Sequence, residues 1–504
     1  MPTPTPKDAE TRVPFSIADQ HTRAIMKLAR EEVTAWQPVG AEAVGLPTEQ
    51  GGVSMIDVIP SILEVPRVDE DNGDGVLLAR ITGAALDRLP VIDDPAPWES
   101  SDAADAFIEA NFADTLPTPS VEWTDTTSDR AIERLAMQGL AAHRLEPVND
   151  PADEAAFVVD LSWMVAFPVR SGFLPYGASA YFDANGAVLR IHVAHDNRTY
   201  TPGDDGWEQA KWVWKSSLIA AVTVVDHLGS THYVASNLVT TVARETLPPD
   251  HPLRRLIKAF TYGAVDINRL AASQLSNKGG LANRTFAFTY EGLSRLLLRG
   301  VESPDFEPFP KRMDRTESLG DRYLFRRDGL ALYDIFSTYV QDYLALYFSD
   351  NEVVRDDHVQ AFWQGLQTRA PGLGLRPLAT AQQFEETLTE FMFSVTGMHA
   401  QVGTIVDYLV DPAFMGAKVS PGQRQADAQS TIQVLNLVIL TGFEQPPLIG
   451  DYRHLLLDEE ARVVFDQYQE SLETLSDQIE TRNRTLDQPY QIFNPALLDT
   501  SVST

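Results

Sequence analysis

The sequence predicts a mainly α-helical protein that contains one small β-sheet. Apolar residues recur at helical spacing through most of the chain after residue 207, whereas strand-forming residues and a hairpin signal are concentrated between 155 and 195. Hydrophobic residues make up 44% of the 504, and a chain of this length can bury a large core. We therefore expect one large, predominantly helical domain with a small sheet.

The amino-terminal segment has the weakest pattern. Residues 1–15 form a Pro/Thr-rich tail, and residues 16–36 carry apolar side chains at helical spacing. Breakers such as Pro90 and Pro117 interrupt residues 37–120. This composition predicts irregular structure with short helices.

The β-rich part lies at residues 155–195. Ala156 to Phe167 is largely apolar and rich in strand formers, and Pro168 closes it. Two apolar runs, 178–182 and 188–193, flank a short segment that contains Asn185-Gly186. Because Asn-Gly between apolar runs is a strong hairpin signal, we expect an antiparallel hairpin here.

Helical patterns dominate from residue 207 onward. Trp207 to about Thr246 is predicted to be one long helix that ends at Pro248-Pro249. Further helices are predicted over 252–276, 286–300, 328–348, 380–410, 426–442 and 458–480.

Composition excludes several classes of function. The formal net charge is −31, which argues against nucleic-acid binding and against stable attachment to or insertion in a membrane. The chain has no cysteine, so thiol catalysis and cysteine-ligated metals are excluded. Neither a signal peptide nor a run of about 20 apolar residues is evident, and a cytoplasmic location is expected.

The most informative residues are His227 and His232, which lie five apart in the apolar long helix. In a regular α-helix, five residues turn the chain by about 140° beyond one full turn, so the two rings would point apart. A π-bulge, with i→i+5 geometry, would place both rings on one face, and such bulges often occur at functional sites. The pair is therefore either a coincidence or a metal site on a widened turn.

A third histidine lies on the apolar stripe of another helix. Phe391, Val395, His399, Val402 and Val406 recur at helical spacing, so His399 is expected to face the core. A single buried histidine is more often a hydrogen-bonded core residue than a ligand. With two other buried histidines on a helix, a shared metal becomes the favoured interpretation.

Several blocks of the chain, in order, resemble the lipoxygenase family, and the resemblance covers about 120–504. The blocks are Trp207-x-x-Ala210-Lys211, His227-x4-His232, His251-Pro252, Ile267-Asn268, Tyr323 to Leu330, Met398-His399-Ala400, Arg482-Asn483-Arg484 and the tail Ser501-Val502-Ser503-Thr504. The resemblance implies a lipoxygenase-like helical catalytic domain over 120–504. It leaves 1–119 as an extension packed on the core, too irregular to supply the family's amino-terminal β-barrel.

The resemblance also implies the ligands of a non-haem metal. His227, His232 and His399 match the family's three imidazole ligands, and the terminal carboxylate, here of Thr504, matches its anionic ligand. Imidazole with carboxylate suits iron, with manganese as the other possibility. The implied reactants are O2 and an apolar small molecule, held in a channel to which Leu228, Val402, Val406 and Thr223 are assigned.

Some residues near the expected metal depart from the family. The position four residues after the third histidine usually carries Asn, His or Ser, but here it is Gly403. Water would have to fill this position, or Gln401 or Thr404 would have to reach it through a deformed helix. Two glutamines that link the metal to the channel in the family are replaced by Thr223 and Val406.

These departures leave three functions open. The chain is a dioxygenase that converts a polyunsaturated fatty acid to a hydroperoxide, an oxygenase or oxidase that uses the same metal on a specialised metabolite, or a non-catalytic lipid-binding relative. All three predict the same fold, because a fold alone does not determine function.

Overall fold

The computed structural model describes residues 98, 100–112, 123–349, 351–409, 411–424, 426, 430–431, 434–435 and 446–502. The predicted helix 16–36, most of the expected extension, most of the predicted helix 426–442 and the terminal Thr504 lie outside the described residues. Within the described part, no helix is both long enough and apolar enough to cross a membrane.

The described chain is mainly helical, as predicted. The helices are α1 (Ser101–Phe112), α2 (Asp129–Met137), α3 (Trp207–Ala221), the first π-helix (Val222–Leu238), α4 (Val239–Thr246), α5 (Pro252–Leu256), α6 (Ala264–Gln274), α7 (Leu281–Thr285), α8 (Tyr290–Glu302), α9 (Phe309–Met313), α10 (Leu324–Tyr347), α11 (Asp357–Arg369), α12 (Ala381–Phe393), the second π-helix (Ser394–Met398), α13 (His399–Gly403), α14 (Val406–Leu409) and α15 (Glu459–Asn483).

One five-stranded antiparallel sheet accompanies these helices. Its strands pair in sequence order, and they are β1 (Glu146–Pro147), β2 (Phe157–Asp160), β3 (Ala178–Phe182), β4 (Val188–Val193) and β5 (Arg198–Tyr200). The predicted hairpin is confirmed between β3 and β4, where Gly186 adopts a φ of 87° in the turn.

The strand expected over Ala156–Phe167 is too long. Only Phe157–Asp160 is extended, and a 3-10 helix (Ser162–Ala166) follows it. Asp160 ends the strand because its carboxylate accepts a hydrogen bond from the Ser162 backbone N–H at 2.9 Å, a local bond that competes with sheet pairing.

A continuous helical rod runs through the centre of the domain from α3 through the first π-helix to α4. Its side chains are almost all buried, including Trp212, Trp214 and Tyr233. Leu247 at its end is extended, immediately before Pro248-Pro249. The long helix predicted from Trp207 to Thr246 is confirmed.

Helix α8 packs against the first π-helix at very short range. A Cβ atom added to Gly300 would lie 2.3 Å from the Val225 carbonyl oxygen, and one added to Gly229 would lie 2.9 Å from the Gly300 Cα. The two backbones can approach this closely only because both positions are glycine.

Two other predicted helices are interrupted. The helix expected over 252–276 is broken between α5 and α6, where Gly263 adopts a left-handed φ of 63°. The helix expected over 380–410 ends at Gly403, because Thr404 leaves the helical conformation with a ψ of 51°. This break lies directly beside the third histidine.

Candidate metal centre

The first π-helix places His227 and His232 side by side. Their Nε2 atoms are 3.0 Å apart, and their ring centroids are 4.5 Å apart. The spacing left a choice between a coincidence and a π-bulge, and the structure has a full π-helix of 17 residues at this point. The i→i+5 geometry aligns the two rings, as their spacing requires.

The second π-helix ends at the residue before His399 and places that ring beside His227 and His232. The His399 Nε2 lies 3.1 Å from the His227 Nε2, and the ring centroid is 5.3 Å from that of His232. The three candidate ligand atoms lie within 4.8 Å of one another, and all three residues are buried. Residues separated by 172 positions in sequence are thus brought into one cluster.

The cluster fits a first-row metal ion. Imidazole nitrogen binds such ions at about 2.1 Å, so two ligands at a right angle are about 3.0 Å apart. The observed separations of 3.0 and 3.1 Å agree with this value. Burial lowers the pKa of His232 to about 3 and that of His399 to about 4, and it lowers the pKa of His227 well below its usual value. All three rings are therefore neutral at pH 7, the form that binds a metal.

Asn268 on α6 fixes the orientation of His232. Its side-chain Nδ2 donates to the Ala264 carbonyl at 2.5 Å, which leaves Oδ1 facing the His232 Nδ1 at 3.1 Å. Because an amide oxygen only accepts hydrogen bonds, the His232 Nδ1 carries the proton and its Nε2 presents a lone pair to the cluster. Such a partner orients a metal-binding histidine.

Gly403 lies against the cluster, as its place in the sequence suggests. A Cβ atom at this position would be 3.2 Å from the His227 Nε2 and 3.7 Å from the His399 Nε2. Neither side chain proposed as a substitute turns toward the site. Gln401 Nε2 donates to the Gly139 carbonyl at 3.0 Å, and Thr404 Oγ1 donates to the Ala400 carbonyl at 2.9 Å.

A largely buried charged group lies next to His227. Arg144 binds both carboxylate oxygens of Asp226, at 2.8 and 2.6 Å, and the His143 Nε2 lies 2.8 Å from Asp226 Oδ2. Burial raises the pKa of Asp226, but Arg144 and His143 together outweigh this effect and lower it. Asp226 is therefore a largely buried anion whose two carboxylate oxygens are both paired.

Three of the four residues assigned to the channel, Thr223, Leu228 and Val402, are buried in the described structure. Val402 is buried and lines a small cavity beside the two π-helices. Leu228 and Thr223 are buried in the first π-helix, and the Thr223 Oγ1 has no hydrogen-bond partner among the described residues. Val406 begins α14.

Six of the nine residues that line the cavity next to Val402 carry polar side chains. Its walls are formed by His143, Asp226, Ser230, Thr231, Ala235, Asp305, Ser394, Met398 and Val402. Asp226, Thr231 and Met398 are sequence neighbours of the three histidines. The cavity therefore flanks the segments that carry the cluster.

Thr504, the expected anionic ligand, lies outside the described residues, but the chain is described as far as Val502. Ser501 and Val502 are both fully buried, and the Ser501 Oγ donates to the Tyr262 carbonyl at 2.9 Å. The last described residues are thus held inside the protein near the start of α6, the helix that also carries Asn268.

Sequence reasoning missed the partners of the histidines. Asn268 was recognised only as part of a family block, although an amide on a helix near a predicted ligand is a usable signal. His143 and Arg144 offered no such signal. They lie 83 and 82 residues from Asp226, and only the fold brings the three together.

Comparisons with known proteins find similarity to one family. A family model described as Lipoxygenase matches residues 191–405. The arachidonate 12-lipoxygenase, 12R-type, of Rattus norvegicus is 26% identical over 358 residues, which cover 64% of this chain and 50% of the relative. The linoleate 9/13-lipoxygenase of Pseudomonas aeruginosa is 26% identical over 333 residues, which cover 59% and 48%. The chain spans about half the length of these curated relatives.

Solved structures show the same fold. The crystal structure of a coral 8R-lipoxygenase has a TM-score of 0.73 at 16% identity and covers 98% of this chain and 81% of that one. A calcium-dependent 11R-lipoxygenase has a TM-score of 0.71 at 15% identity and covers 95% and 80%. The mainly helical architecture with a small antiparallel sheet is thus shared with both structures.

Proposed function

The chain belongs to the lipoxygenase family, and from this premise we propose that it is a non-haem metal dioxygenase that inserts O2 into a polyunsaturated fatty acid to give a hydroperoxide. The observation that carries the proposal is the convergence of three buried, neutral imidazoles on one point. The fatty-acid substrate is suggested by relatives whose names specify arachidonate and linoleate.

In this proposal His227, His232 and His399 hold the metal, with the carboxylate of Thr504 as the anionic ligand. Iron is the proposed ion, and manganese is the second choice for a site of imidazole and carboxylate. When bound, the ion supplies a one-electron acceptor for removal of hydrogen from the methylene between two cis double bonds. Asn268 keeps the His232 lone pair directed at the site.

The protein's own task is to position one methylene and to exclude water. Leu228, Val402, Thr223 and Val406 are proposed to form part of the substrate wall. Burial of Leu228, Val402 and Thr223 keeps the site dry, which protects a reactive radical from side reactions. Correct placement of the substrate supplies much of the rate enhancement in reactions of this kind.

A second candidate is an oxygenase or oxidase that acts through the same site on a substrate other than a fatty acid. The polar cavity beside the π-helices favours it, because Asp226, Asp305 and Ser394 are poor surroundings for an acyl chain. Gly403 also removes a side chain that the family usually places at the metal.

The deciding experiment measures metal and oxygen uptake on the untagged full chain. After anaerobic loading with Fe(II), we expect about one iron per chain, and we expect His399→Ala to lose it. Addition of linoleate should consume O2 and produce conjugated-diene absorbance. A protein that binds iron but is inactive on polyunsaturated acids would favour the second candidate. Failure to bind either Fe(II) or Mn(II) would overturn both.

The role proposed for Thr504 has its own test. A tag appended to the carboxyl terminus removes the terminal carboxylate from its position, whereas the same tag at the amino terminus does not. We expect only the carboxyl-terminal tag to abolish stoichiometric iron binding, measured by elemental analysis. Equal iron content in the two tagged proteins would contradict the assignment.

A further inference from the structure

One imidazole outside the metal cluster connects the two segments that carry it. His143 lies in the 3-10 helix Ala142–Arg144, and its side chain is only 4% exposed. Its Nε2 lies 2.8 Å from Asp226 Oδ2, and its Nδ1 lies 3.3 Å from Gln401 Nε2. Asp226 immediately precedes His227, and Gln401 follows His399 by two residues.

His143 thus forms a bridge between Asp226 and Gln401. The hydrogen-bond pattern shows which atom donates and which accepts at each end of this bridge. Gln401 Nε2 also donates to the carbonyls of Gly139 and Leu140, at 3.0 and 3.3 Å, so the amide nitrogen must lie at this position. Because an amide nitrogen only donates, the His143 Nδ1 accepts from Gln401 and shares the two N–H hydrogens of that amide with these carbonyls. The His143 Nε2 carries the proton and donates it to Asp226.

Neighbours of His143 in its own segment contact the same two residues, Asp226 and Gln401. The neighbouring Arg144 holds the same carboxylate through two bonds, so Asp226 is fixed from two consecutive residues of the 3-10 helix. On the opposite side, three acceptors around the Gln401 amide nitrogen belong to residues 139–143. Both ligand-bearing segments are therefore tied to one short stretch of chain.

We propose that His143 is a positioning residue that sets the separation of His227 and His399 by tying the first π-helix to α13. Gly403 offers no side chain between these two rings, so position 403 does not fix their spacing. His143 supplies that constraint through one neighbour of each ligand. The proposal rests on the proposed metal-binding function, because the metal reports the spacing.

Three full-length variants test this role. His143→Phe removes both hydrogen bonds while filling the volume, whereas His143→Gln retains a donor and an acceptor on one side chain. His192→Phe is the matched control, because His192 lies on β4 and contacts Thr199. Partners that orient metal ligands typically contribute 10- to 100-fold to metal affinity.

Two measurements are made on each variant. In the metal-free protein, hydrogen–deuterium exchange of residues 222–238 and 394–403 should be about tenfold faster in His143→Phe, if the bridge restrains local opening. In the loaded protein, Mn(II) affinity should fall by about 10- to 100-fold and the Mn(II) electron paramagnetic resonance spectrum should change. His143→Gln and His192→Phe should match the wild type in both measurements.

Unchanged exchange and unchanged Mn(II) affinity in His143→Phe would overturn the proposal. If the wild type binds no Mn(II) or Fe(II), the proposed function fails, but exchange still tests the bridge. Should His143→Phe fail to fold, Gln401→Met removes the α13 half of the bridge and replaces it in the test. It should then show faster exchange at 394–403, and no change there would equally overturn the role of His143.

Discussion

The two π-helices depart from α-geometry to different extents, although both carry the same cluster. The first spans Val222–Leu238 and holds two histidines, whereas the second spans Ser394–Met398 and ends just before one. Two rings five residues apart can converge only if the helix is widened throughout their separation. A single ring needs only a short correction of the turn that precedes it. The first π-helix thus sets the positions of two ligands relative to each other. The second sets only the direction from which one ligand reaches the cluster.

The contacts that hold the two π-helices also differ, and the first π-helix has more of them. The first π-helix is held along its length by α8, through the contact of Gly229 and Gly300, and by Asn268 on α6. The second leads into α13, a five-residue helix that ends at Gly403. We therefore expect damage near the first π-helix to affect folding and metal binding together, and damage near α13 to affect mainly the metal.

The largest effect is expected from Gly300→Val. A Cβ here would meet the Val225 carbonyl oxygen at 2.3 Å, so α8 must move away from the first π-helix. Overpacking of this kind costs about 3 kcal/mol of unfolding free energy. Urea unfolding of the metal-free protein measures it, with Ser294→Ala on the same helix as the control. A loss no greater than that of the control would show that the close contact is not required.

A smaller effect is expected from Asn268→Leu. The change removes the acceptor that holds the His232 Nδ1 proton, so the ring can rotate or change tautomer. Iron affinity should fall by about 10- to 100-fold, as measured by competition with a chelator. Asn268→Asp keeps an acceptor and should retain most of the affinity. If both variants bind iron like the wild type, the orientation of His232 is fixed by something else.

The pH dependence of the unfolding free energy compares His232, on the first π-helix, with His399, which follows the second. The folded pKa values of about 3 for His232 and about 4 for His399 lie below the unfolded value of about 6.5. Between pH 6.5 and 4 the unfolded chain binds more protons, so the metal-free protein loses stability as the pH falls. Each histidine contributes a slope of about 1 kcal/mol per pH unit.

His399→Gln should therefore make this slope shallower over pH 4 to 6.5, and His232→Gln should do so down to a slightly lower pH. Thermal unfolding at several pH values, without metal, measures the effect. Identical slopes in the wild type and both variants would mean that the two rings bind protons in the folded protein as readily as in the unfolded chain, so that their pKa values are not lowered.

The smallest effect is expected from Gly403→Ala. Its methyl group would lie 3.2 Å from the His227 Nε2, close enough to displace the ring by a few tenths of an ångström. We expect a metal affinity that is a few-fold weaker and an unfolding free energy within about 0.5 kcal/mol of the wild type. A large loss of stability would indicate that the break after α13 depends on glycine.

Sequence reasoning succeeded where a pattern is local. The long helix from Trp207 to Thr246 and the hairpin of β3 and β4 follow from local patterns, and the spacing of His227 and His232 reduced the choice there to a coincidence or a widened turn. It was less accurate where a local hydrogen bond interrupts a pattern, as at Asp160 after β2 and at Thr404 after α13.

The sequence alone did not predict which residues contact the site in the folded protein. Nothing in a lone histidine at position 143 indicates that its ring meets Asp226 and Gln401, because those contacts depend on how three separate segments pack. Likewise, the sequence located Gly403 near the cluster but did not reveal that Gln401 turns away from it.

The 172 residues that separate His227 from His399 affect how the protein is made. A ribosome adds about 5 to 20 residues each second, so the first two histidines emerge roughly 10 to 30 s before the third. During that interval the nascent chain has only a two-imidazole site. A complete three-histidine site can form only after the later helices have been synthesised. The proposed metal would therefore be captured late in biogenesis, after the early helices have been made without a complete site.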